Sequence, residues 1–244
     1  MARIFITGSA DGLGQMSADL LIKQGHKVVL HARNAERERE ALKKTPGAEA
    51  VLPGDLLNIE EIKVLGENAN KSGRFDAVIH NAGVYQTSAR QIFAVNTLAP
   101  YILTCLIRKP KRLIYLSSGM HLRGRPKLED FKNGVDRISY SDSKLHVMML
   151  TRAVARKWPD VYSNAVDPGW VPTNMGGKNA PDDLQKGYET QSWLAVSDHE
   201  KAKVSGRYFF HQKERPYNPT ADDLTLQEEF LMLLQEVTGV SFPG

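Results

Sequence analysis

The sequence lacks the features that mark exported and membrane-spanning proteins. Its single cysteine, Cys105, excludes an internal disulfide and is typical of proteins from reducing compartments. The longest apolar run, residues 92–107, is interrupted by Asn96 and Pro100 and is too short to cross a bilayer. The first residues, MARIFITGS, offer no cleavable apolar leader, so export is not expected. We therefore expect a cytoplasmic protein with no membrane partner.

The chain also carries little excess of positive over negative charge. The 32 Lys and Arg residues against 28 Asp and Glu leave a formal net charge of +4 over 244 residues. The densest basic cluster, RKPKR at 108–112, precedes a predicted strand and is more typical of a solvated loop than of a nucleic-acid surface. No nucleic-acid partner is expected, and no residue is assigned as a metal ligand.

Short β-branched runs alternate with helical patterns along the chain. This alternation indicates βαβ units around a mostly parallel sheet. A last amphipathic helix is predicted over residues 227–237. We therefore expect one α/β domain over residues 1–244, of the doubly wound Rossmann type, with helices on both faces of the sheet. Seven strands are predicted: Arg3–Thr7, Lys27–His31, Ala50–Leu52, Ala77–His80, Arg112–Leu116, Tyr162–Val166 and Arg207–Phe210.

The segment 172–205 interrupts this alternation. It is rich in Gly, Pro and Asp with scattered aromatic residues, and we expect a lid over the edge of the sheet. Four large apolar residues in or beside it, Trp170, Met175, Tyr188 and Trp193, are compatible with either an apolar substrate pocket or the core.

A glycine-rich turn, TGSADGLG at 7–14, follows the first predicted strand and opens a helix. Glycines allow a tight turn and let the backbone approach a pyrophosphate, whose charge would meet the free N–H groups at the helix start. The position between strand and helix favours nucleotide binding over a plain helix-opening turn. Asp11, directly before the helix, is more typical of an N-cap than of a ligand contact.

The second predicted strand ends in LHARN at 30–34, without the acidic residue that NAD-preferring proteins commonly present to the adenosine ribose. Arg33 could pair with a 2′-phosphate, so NADP is the favoured cofactor and NAD the alternative. A solvated arginine is the other interpretation of Arg33. Asp55, after the third strand, could accept a hydrogen bond from the adenine amino group or cap the next helix.

Further motifs occur in an order that resembles the short-chain dehydrogenase/reductase family along nearly the whole chain. The glycine turn has that family's Thr-Gly-x-x-x-Gly-x-Gly spacing. The resemblance implies a nicotinamide-dependent oxidoreductase acting on a carbonyl or alcohol. The motifs that follow the glycine turn are Asp55, Asn81-Ala82-Gly83, Asn96, Ser118, Tyr140-x-x-x-Lys144, and Pro168-Gly169 with Thr173.

The same resemblance implies catalytic positions for Ser118, Tyr140, Lys144 and Asn96. Tyr140 and Lys144 stand one helical turn apart, so the ammonium can lie near the phenol and favour its ionised form. Tyr140 would then exchange a proton with the substrate oxygen, and Ser118 would hydrogen-bond the same oxygen.

Asn96 has a further expected role. Pro100 has no N–H to donate to the Asn96 carbonyl in a regular helix, so that acceptor is left free. A water there could connect Lys144 to solvent as a proton relay, which is the role the resemblance implies. A Pro-kinked helix without function is the alternative.

The remaining predictions concern binding. The substrate is expected to be a small carbonyl or alcohol compound, with hydrophobic character suggested by the aromatic residues near 170–193, and a homo-oligomer is compatible with the family. A cofactor-binding redox sensor of the same fold and a methyltransferase are the competing functions. The predicted cofactor contacts are Gly8, Ser9, Asp11, Gly12, Leu13, Gly14, Arg33, Asp55, Leu56, Asn81, Ala82, Gly83, Tyr140, Lys144, Pro168, Gly169, Val171 and Thr173.

The chain departs from the usual family pattern in an insertion between Ser118 and Tyr140, which contains HLRGRPKLEDFKNGVDR. We expect this segment to form a rim of the pocket or to cover the fourth and fifth helices. Its basic residues, His121, Arg123, Arg125 and Lys127, either attract an anionic substrate or form a solvated basic loop.

Overall fold

A twisted sheet of eight strands organises the structure, a computed structural model that describes residues 1–244. The strands lie in the order β3-β2-β1-β4-β5-β6-β7-β8, and all neighbours are parallel except β7 and β8. Their bounds are β1 Arg3–Ile6, β2 Lys27–Ala32, β3 Ala50–Pro53, β4 Ala77–His80, β5 Arg112–Leu116, β6 Tyr162–Asp167, β7 Arg207–Phe210 and β8 Lys213–Glu214.

Helices cover both faces of this sheet, as predicted for a doubly wound fold. None of them combines the length and the apolar composition needed to cross a bilayer. The helices are α1 Gly12–Lys23, α2 Ala35–Lys44, α3 Ile59–Lys71, α4 Ala89–Phe93, α5 Ala99–Leu106, α6 Asp130–Asn133, α7 Tyr140–Lys157, α8 Leu184–Val196 and α9 Leu224–Thr238.

The core has one part on each face, because successive side chains of a strand point to opposite sides. In β1, Ile4 and Ile6 pack with residues of α1 and α8, whereas Phe5 packs with residues of α3, α5 and α7. The chain reverses its direction of strand addition between β1 and β4, and the cleft that carries the functional residues opens at the carboxyl ends of these strands.

The prediction of seven strands was wrong by one. The eighth strand pairs with β7 through a two-residue turn at His211 and Gln212, whose φ angles are 48° and 59°. Two positive φ values are the signature of a type I′ hairpin turn, which usually carries Asn or Gly. The sequence FHQKE has neither, so the turn was not predictable from its residues.

The predicted lid, 172–205, needs a correction of its bounds. Its second half contains α8, whose Leu194 and Ala195 are buried against the sheet, so this part belongs to a core layer. Residues 168–183 form an irregular loop held by internal hydrogen bonds, among them Asp182 N–H to the Trp170 carbonyl at 3.0 Å. Residues of this loop line the second cavity, whereas no residue of α8 does.

The insertion between Ser118 and Tyr140 folds onto the core instead of standing free. The Phe131 ring packs against Phe93 and Phe230 with ring centroids 4.7 and 6.0 Å apart. Lys127 pairs with the buried Asp142 of α7 at 2.9 Å. The insertion therefore anchors the start of α7.

Candidate active site

Two adjoining cavities of about 590 and 760 Å³ open at the carboxyl edge of the sheet. The first cavity lies beside the glycine turn and the ends of β2 and β3, and the second beside β5, β6 and the start of α7. They form one continuous cleft, since both are lined by Leu13, Tyr85, Pro168, Thr173, Asn174 and Met175.

The glycine turn has a shape that only glycine allows. Gly8 has φ +62°, and a Cβ there would lie 2.8 Å from the Ala82 Cα atom. A Cβ on Gly14 would lie 2.5 Å from the Nδ2 atom of Asn81, which donates hydrogen bonds to the carbonyls of Thr7 and Gly8. Gly12, by contrast, has nothing within 4 Å of its Cβ position. The turn is thus packed on its inner side and open toward the first cavity, which fits the pyrophosphate of a dinucleotide.

Asp11 occupies the predicted N-cap position of α1, but its side chain makes no capping hydrogen bond. Its carboxylate instead pairs with Arg37 of α2, which also pairs with Glu40. Arg33 is exposed at the edge of the first cavity and takes part in no ion pair, which leaves its guanidinium available.

Asp55 and Leu56 also line the first cavity. Asp55 accepts a hydrogen bond from Leu57 N–H at 3.0 Å, whereas α3 is capped by Asn58. The alternative that Asp55 caps the next helix was therefore wrong.

Four of the predicted site residues do not line either cavity: Ser9, Gly14, Asn96 and Lys144. The Ser9 hydroxyl is fully buried and donates to the Ile6 carbonyl at 2.8 Å, so its side chain stabilises the turn from within. Asn96 and Lys144 are buried beneath the floor of the cleft. The other predicted residues border the first or the second cavity.

Tyr140 is the first residue of α7, and its position is fixed by the cap of that helix. Ser139 and Asp142 form a capping box, in which each side chain accepts a backbone N–H of the other residue. Lys144 follows one turn later, with its Nζ atom 5.3 Å from the centroid of the Tyr140 ring. The predicted proximity of ammonium and phenol is thus present.

Two hydrogen bonds join α7 to the end of β5. Lys144 Nζ donates to the Leu116 carbonyl at 2.7 Å, and the Ser117 hydroxyl donates to the Lys144 carbonyl at 3.0 Å. This pair of bonds brings Ser118, the next residue of the chain, to the second cavity, which Tyr140 also lines.

The chain's own groups hold Tyr140 as a neutral phenol. Burial raises the pKa of Tyr140, the negative charge of Asp167 adds to this, and the Ser118 side chain opposes it. Burial lowers the pKa of Lys144 to about 8, with Asp167 acting in the opposite direction. The expectation that the ammonium would favour phenolate is therefore outweighed by burial, and Tyr140 is a neutral phenol at neutral pH.

Asn96 sits in a π-helical turn, Ala94–Leu98, that connects α4 to α5. Its Oδ1 atom accepts from Val84 N–H at 2.8 Å, and its Nδ2 atom donates to the Val84 carbonyl and to the Ser143 hydroxyl. The helix widens here instead of kinking at Pro100, as is common near functional sites. The Asn96 side chain thus ties the loop after β4 to α7.

Asp167 is a residue of the second cavity that the sequence analysis missed. It ends β6 and lines the second cavity, where its two oxygens accept from Gly169 N–H and from the Tyr208 hydroxyl, both at 2.9 Å. The signal was an acidic residue at the carboxyl end of a strand, directly before the Pro168-Gly169 pair.

The predictions about the pocket wall are only partly met. Trp170 and Met175 line the second cavity, but Tyr188 and Trp193 do not, and Trp193 packs against Phe209 at the sheet. None of the four basic residues of the insertion borders the cavity: His121, Arg123, Arg125 and Lys127. The alternative that they attract an anionic substrate has no support in the structure.

Known proteins of similar sequence are oxidoreductases. The profile described as short chain dehydrogenase matches residues 2–119. An uncharacterised oxidoreductase of Emericella nidulans is 47% identical, and the match covers 100% of both chains. A Streptomyces protein named as a daunorubicin C-13 ketoreductase is 29% identical, over 90% of this chain and 86% of that protein.

Solved structures with the same fold include one that holds a nicotinamide cofactor. A crystal structure of an uncharacterised Mycobacterium paratuberculosis protein has a TM-score of 0.82 at 23% identity, and the match covers 100% of this chain and 96% of that one. A blue fluorescent protein from a metagenomic library, in complex with NADPH, has a TM-score of 0.70 at 18% identity, over 86% and 95% of the two chains. At such identities the likeness concerns the fold alone.

The lowered pKa of Lys144 predicts a pH dependence of stability. In the folded protein the pKa of Lys144 is about 8, so below this pH the amine is protonated in both the folded and the unfolded state. Between this pH and the ordinary pKa of lysine, only the unfolded chain holds the proton. The free energy of unfolding of the wild type should therefore rise with pH over this range, relative to Lys144→Met, by up to about 3 kcal/mol. Urea titrations at several pH values measure it. Lys157→Met, on the same helix, is the control, and parallel curves for wild type and Lys144→Met would contradict the assignment.

Proposed function

Because this chain belongs to the short-chain dehydrogenase/reductase family of nicotinamide-dependent oxidoreductases, we propose that it reduces a ketone with NADPH, or oxidises the corresponding secondary alcohol in reverse. The observation that carries the proposal is the shared position of Ser118 and Tyr140 on the second cavity, where it meets the first. A Streptomyces relative named as a ketoreductase supports a ketone as the reacting group.

The first cavity would hold the nicotinamide cofactor, which supplies or accepts the hydride. The open backbone at Gly12 and the N–H groups at the start of α1 would bind its pyrophosphate. Arg33 would pair with the 2′-phosphate, and Asp55 would accept from the adenine amino group. Thr173, which borders both cavities, would orient the nicotinamide end toward the second cavity.

The second cavity would hold the carbonyl against Ser118 and Tyr140. Ser118 would donate a hydrogen bond to the carbonyl oxygen and hold it in place for reduction. Tyr140, kept neutral by burial and by Asp167, would give its proton to the same oxygen as the alcohol forms. Lys144, whose Nζ atom lies 5.3 Å from the centroid of the Tyr140 ring, would stabilise the phenolate that remains. Asn96, with Lys144, would belong to the path that returns the proton.

The lining of the second cavity favours a hydrophobic ketone without a negative charge. Its apolar wall includes Trp170, Met175 and Phe210, and its charged side chains are the two carboxylates Asp167 and Asp182. No Lys, Arg or His borders it. A carboxylate or phosphate on the substrate would therefore meet like charge in a partly dry site. We propose that residues 172–183 act as the lid of this cavity.

Tyr140→Phe should remove turnover and leave cofactor binding intact. Loss of the proton donor should lower kcat for NADPH-dependent ketone reduction by at least about a hundredfold. Absorbance at the reduced-nicotinamide band measures turnover, and quenching of protein fluorescence measures binding.

Tyr162→Phe is the matched control and should retain activity, because Tyr162 lies at the start of β6, the end opposite Asp167. Unchanged turnover in Tyr140→Phe would contradict the proposed donor. NADPH binding by the wild type with no turnover across a broad ketone and alcohol panel would favour a redox-sensing role instead.

Arg33→Ala should change the choice of cofactor. Loss of a charged hydrogen-bond donor should raise the Kd of NADPH by roughly tenfold or more and leave the Kd of NADH nearly unchanged. Arg39→Ala, an exposed arginine of α2 that borders neither cavity, is the control. Equal weakening of both cofactors by Arg33→Ala would reject the phosphate contact.

Substrate charge should matter in the second cavity. For a ketone and its carboxylate-bearing analogue of similar size, we expect a lower kcat/KM for the anion. Asp182→Asn should reduce the ratio of the two kcat/KM values, neutral ketone over anion, by about fivefold, because one of the two repelling carboxylates is removed. Asp183→Asn, at the exposed cap of α8, is the control. A preference for the anion in the wild type would contradict the proposed substrate class.

A further inference from the structure

His31 is a buried histidine beside the first cavity that has no part in the proposed reaction. It lies in β2, is only 3% exposed, and lines the cavity. Gly8 N–H donates to its Nδ1 atom at 2.9 Å, and its Nε2 atom lies 2.8 Å from the Gly54 carbonyl. The ring therefore bridges the glycine turn and the turn after β3.

These partners fix the protonation state of the ring. A backbone N–H can only donate, so the Nδ1 atom that receives it must carry a lone pair. A backbone carbonyl can only accept, so Nε2 must carry the hydrogen. His31 is therefore a neutral imidazole of the Nε2–H form. A second proton would place an N–H on Nδ1 directly against the Gly8 N–H, and the bond to the turn would be lost.

His31 Nδ1 is the one hydrogen-bond partner of the Gly8 N–H in the structure. The backbone of His31 is itself engaged with Ser9, whose hydroxyl accepts the His31 N–H at 2.9 Å. On the opposite side, Gly8 is packed against Ala82 too closely for any side chain. The shape of the turn that faces the cavity thus depends on the lone pair of His31.

We propose that His31 is a positioning residue for the nicotinamide cofactor: its unprotonated Nδ1 atom holds the glycine turn in the binding shape, and cofactor affinity falls when the ring takes up a proton. The inference rests on cofactor binding, which family membership implies, and not on the identity of the reaction or the substrate. The role goes beyond the contacts assigned above, because His31 acts through Gly8.

Charged groups around the ring act on it with opposite signs. Burial lowers the pKa of His31, while the carboxylate of Asp55, from the turn after β3, favours proton uptake. Asp11, from the glycine turn, is paired with Arg37 of α2, and Arg33 is the first residue after β2. The ring is therefore neutral at neutral pH, and its protonation belongs below the ordinary histidine value of about 6.5.

Two substitutions separate the two bonds of the ring. His31→Asn keeps an acceptor at the Nδ1 position and removes the group that titrates, whereas His31→Gln keeps a donor toward Gly54 and loses the acceptor for Gly8. The Kd of NADPH, measured by fluorescence near pH 7, should stay near the wild-type value in His31→Asn and rise about tenfold in His31→Gln. The reverse order, or equal affinity in all three proteins, would overturn the proposal.

The pH profile supplies a readout that a merely structural role would not move. Wild-type affinity relative to His31→Asn should fall by about tenfold for each pH unit below the pKa of His31. Titration of the 2′-phosphate cancels in this ratio, because both proteins bind the same ligand. A ratio that stays constant down to the pH at which the protein unfolds would overturn the proposal.

One measurement needs no variant. Imidazole ¹⁵N spectra of the wild type at neutral pH should show Nδ1 of His31 unprotonated and Nε2 protonated, and the opposite tautomer would overturn the proposal even if both variants failed to fold. Ketone turnover is not a readout here. A protein that binds NADPH in this manner but reduces nothing would reject the proposed reaction alone.

Discussion

The two bonds between β5 and α7 are the contact on which the rest of the site depends. The Lys144 ammonium donates a hydrogen bond to the Leu116 carbonyl, and the Lys144 carbonyl accepts one from the Ser117 hydroxyl. Leu116, Ser117 and Lys144 are all buried. A polar group that lost its hydrogen-bond partner here would stay unsatisfied and lower the stability of the fold. Because Ser118 follows the strand and Tyr140 opens the helix, this contact links the two residues directly. The insertion adds a second anchor at the start of α7, where Lys127 pairs with Asp142.

The electrostatic balance of the site follows from burial first and charge second. Burial shifts the pKa of Tyr140 upward and that of Lys144 downward, so each group moves toward its neutral form. Asp167 raises both pKa values, which keeps the phenol protonated and restores part of the charge on the amine. A single carboxylate at the end of β6 thus favours a protonated tyrosine next to a cation, which is the state that the proposed reduction requires.

The fold was largely predictable from the sequence, because a parallel sheet buried on both faces imposes continuous apolar strands at regular intervals. Site residues were predictable where the backbone requires glycine, as at Gly8. They were also predictable where helical spacing places two side chains on one face, as for Tyr140 and Lys144. Contacts between distant segments were not predictable: Asp11 pairs with Arg37, and Ser9 turns inward to β2. The hairpin at His211 was missed because tertiary pairing imposes positive φ on residues that do not prefer it.

The wide turn at Ala94–Leu98 constrains how the chain can change in length. A π-helical turn holds one residue more than an α-helical turn, so loss of one residue there would restore a regular helix and leave α5 facing its packing partners. The amide of Asn96 would nevertheless leave Val84 and Ser143. A deletion in this stretch would therefore keep the packing of α5 and lose the contacts that tie the loop after β4 to α7.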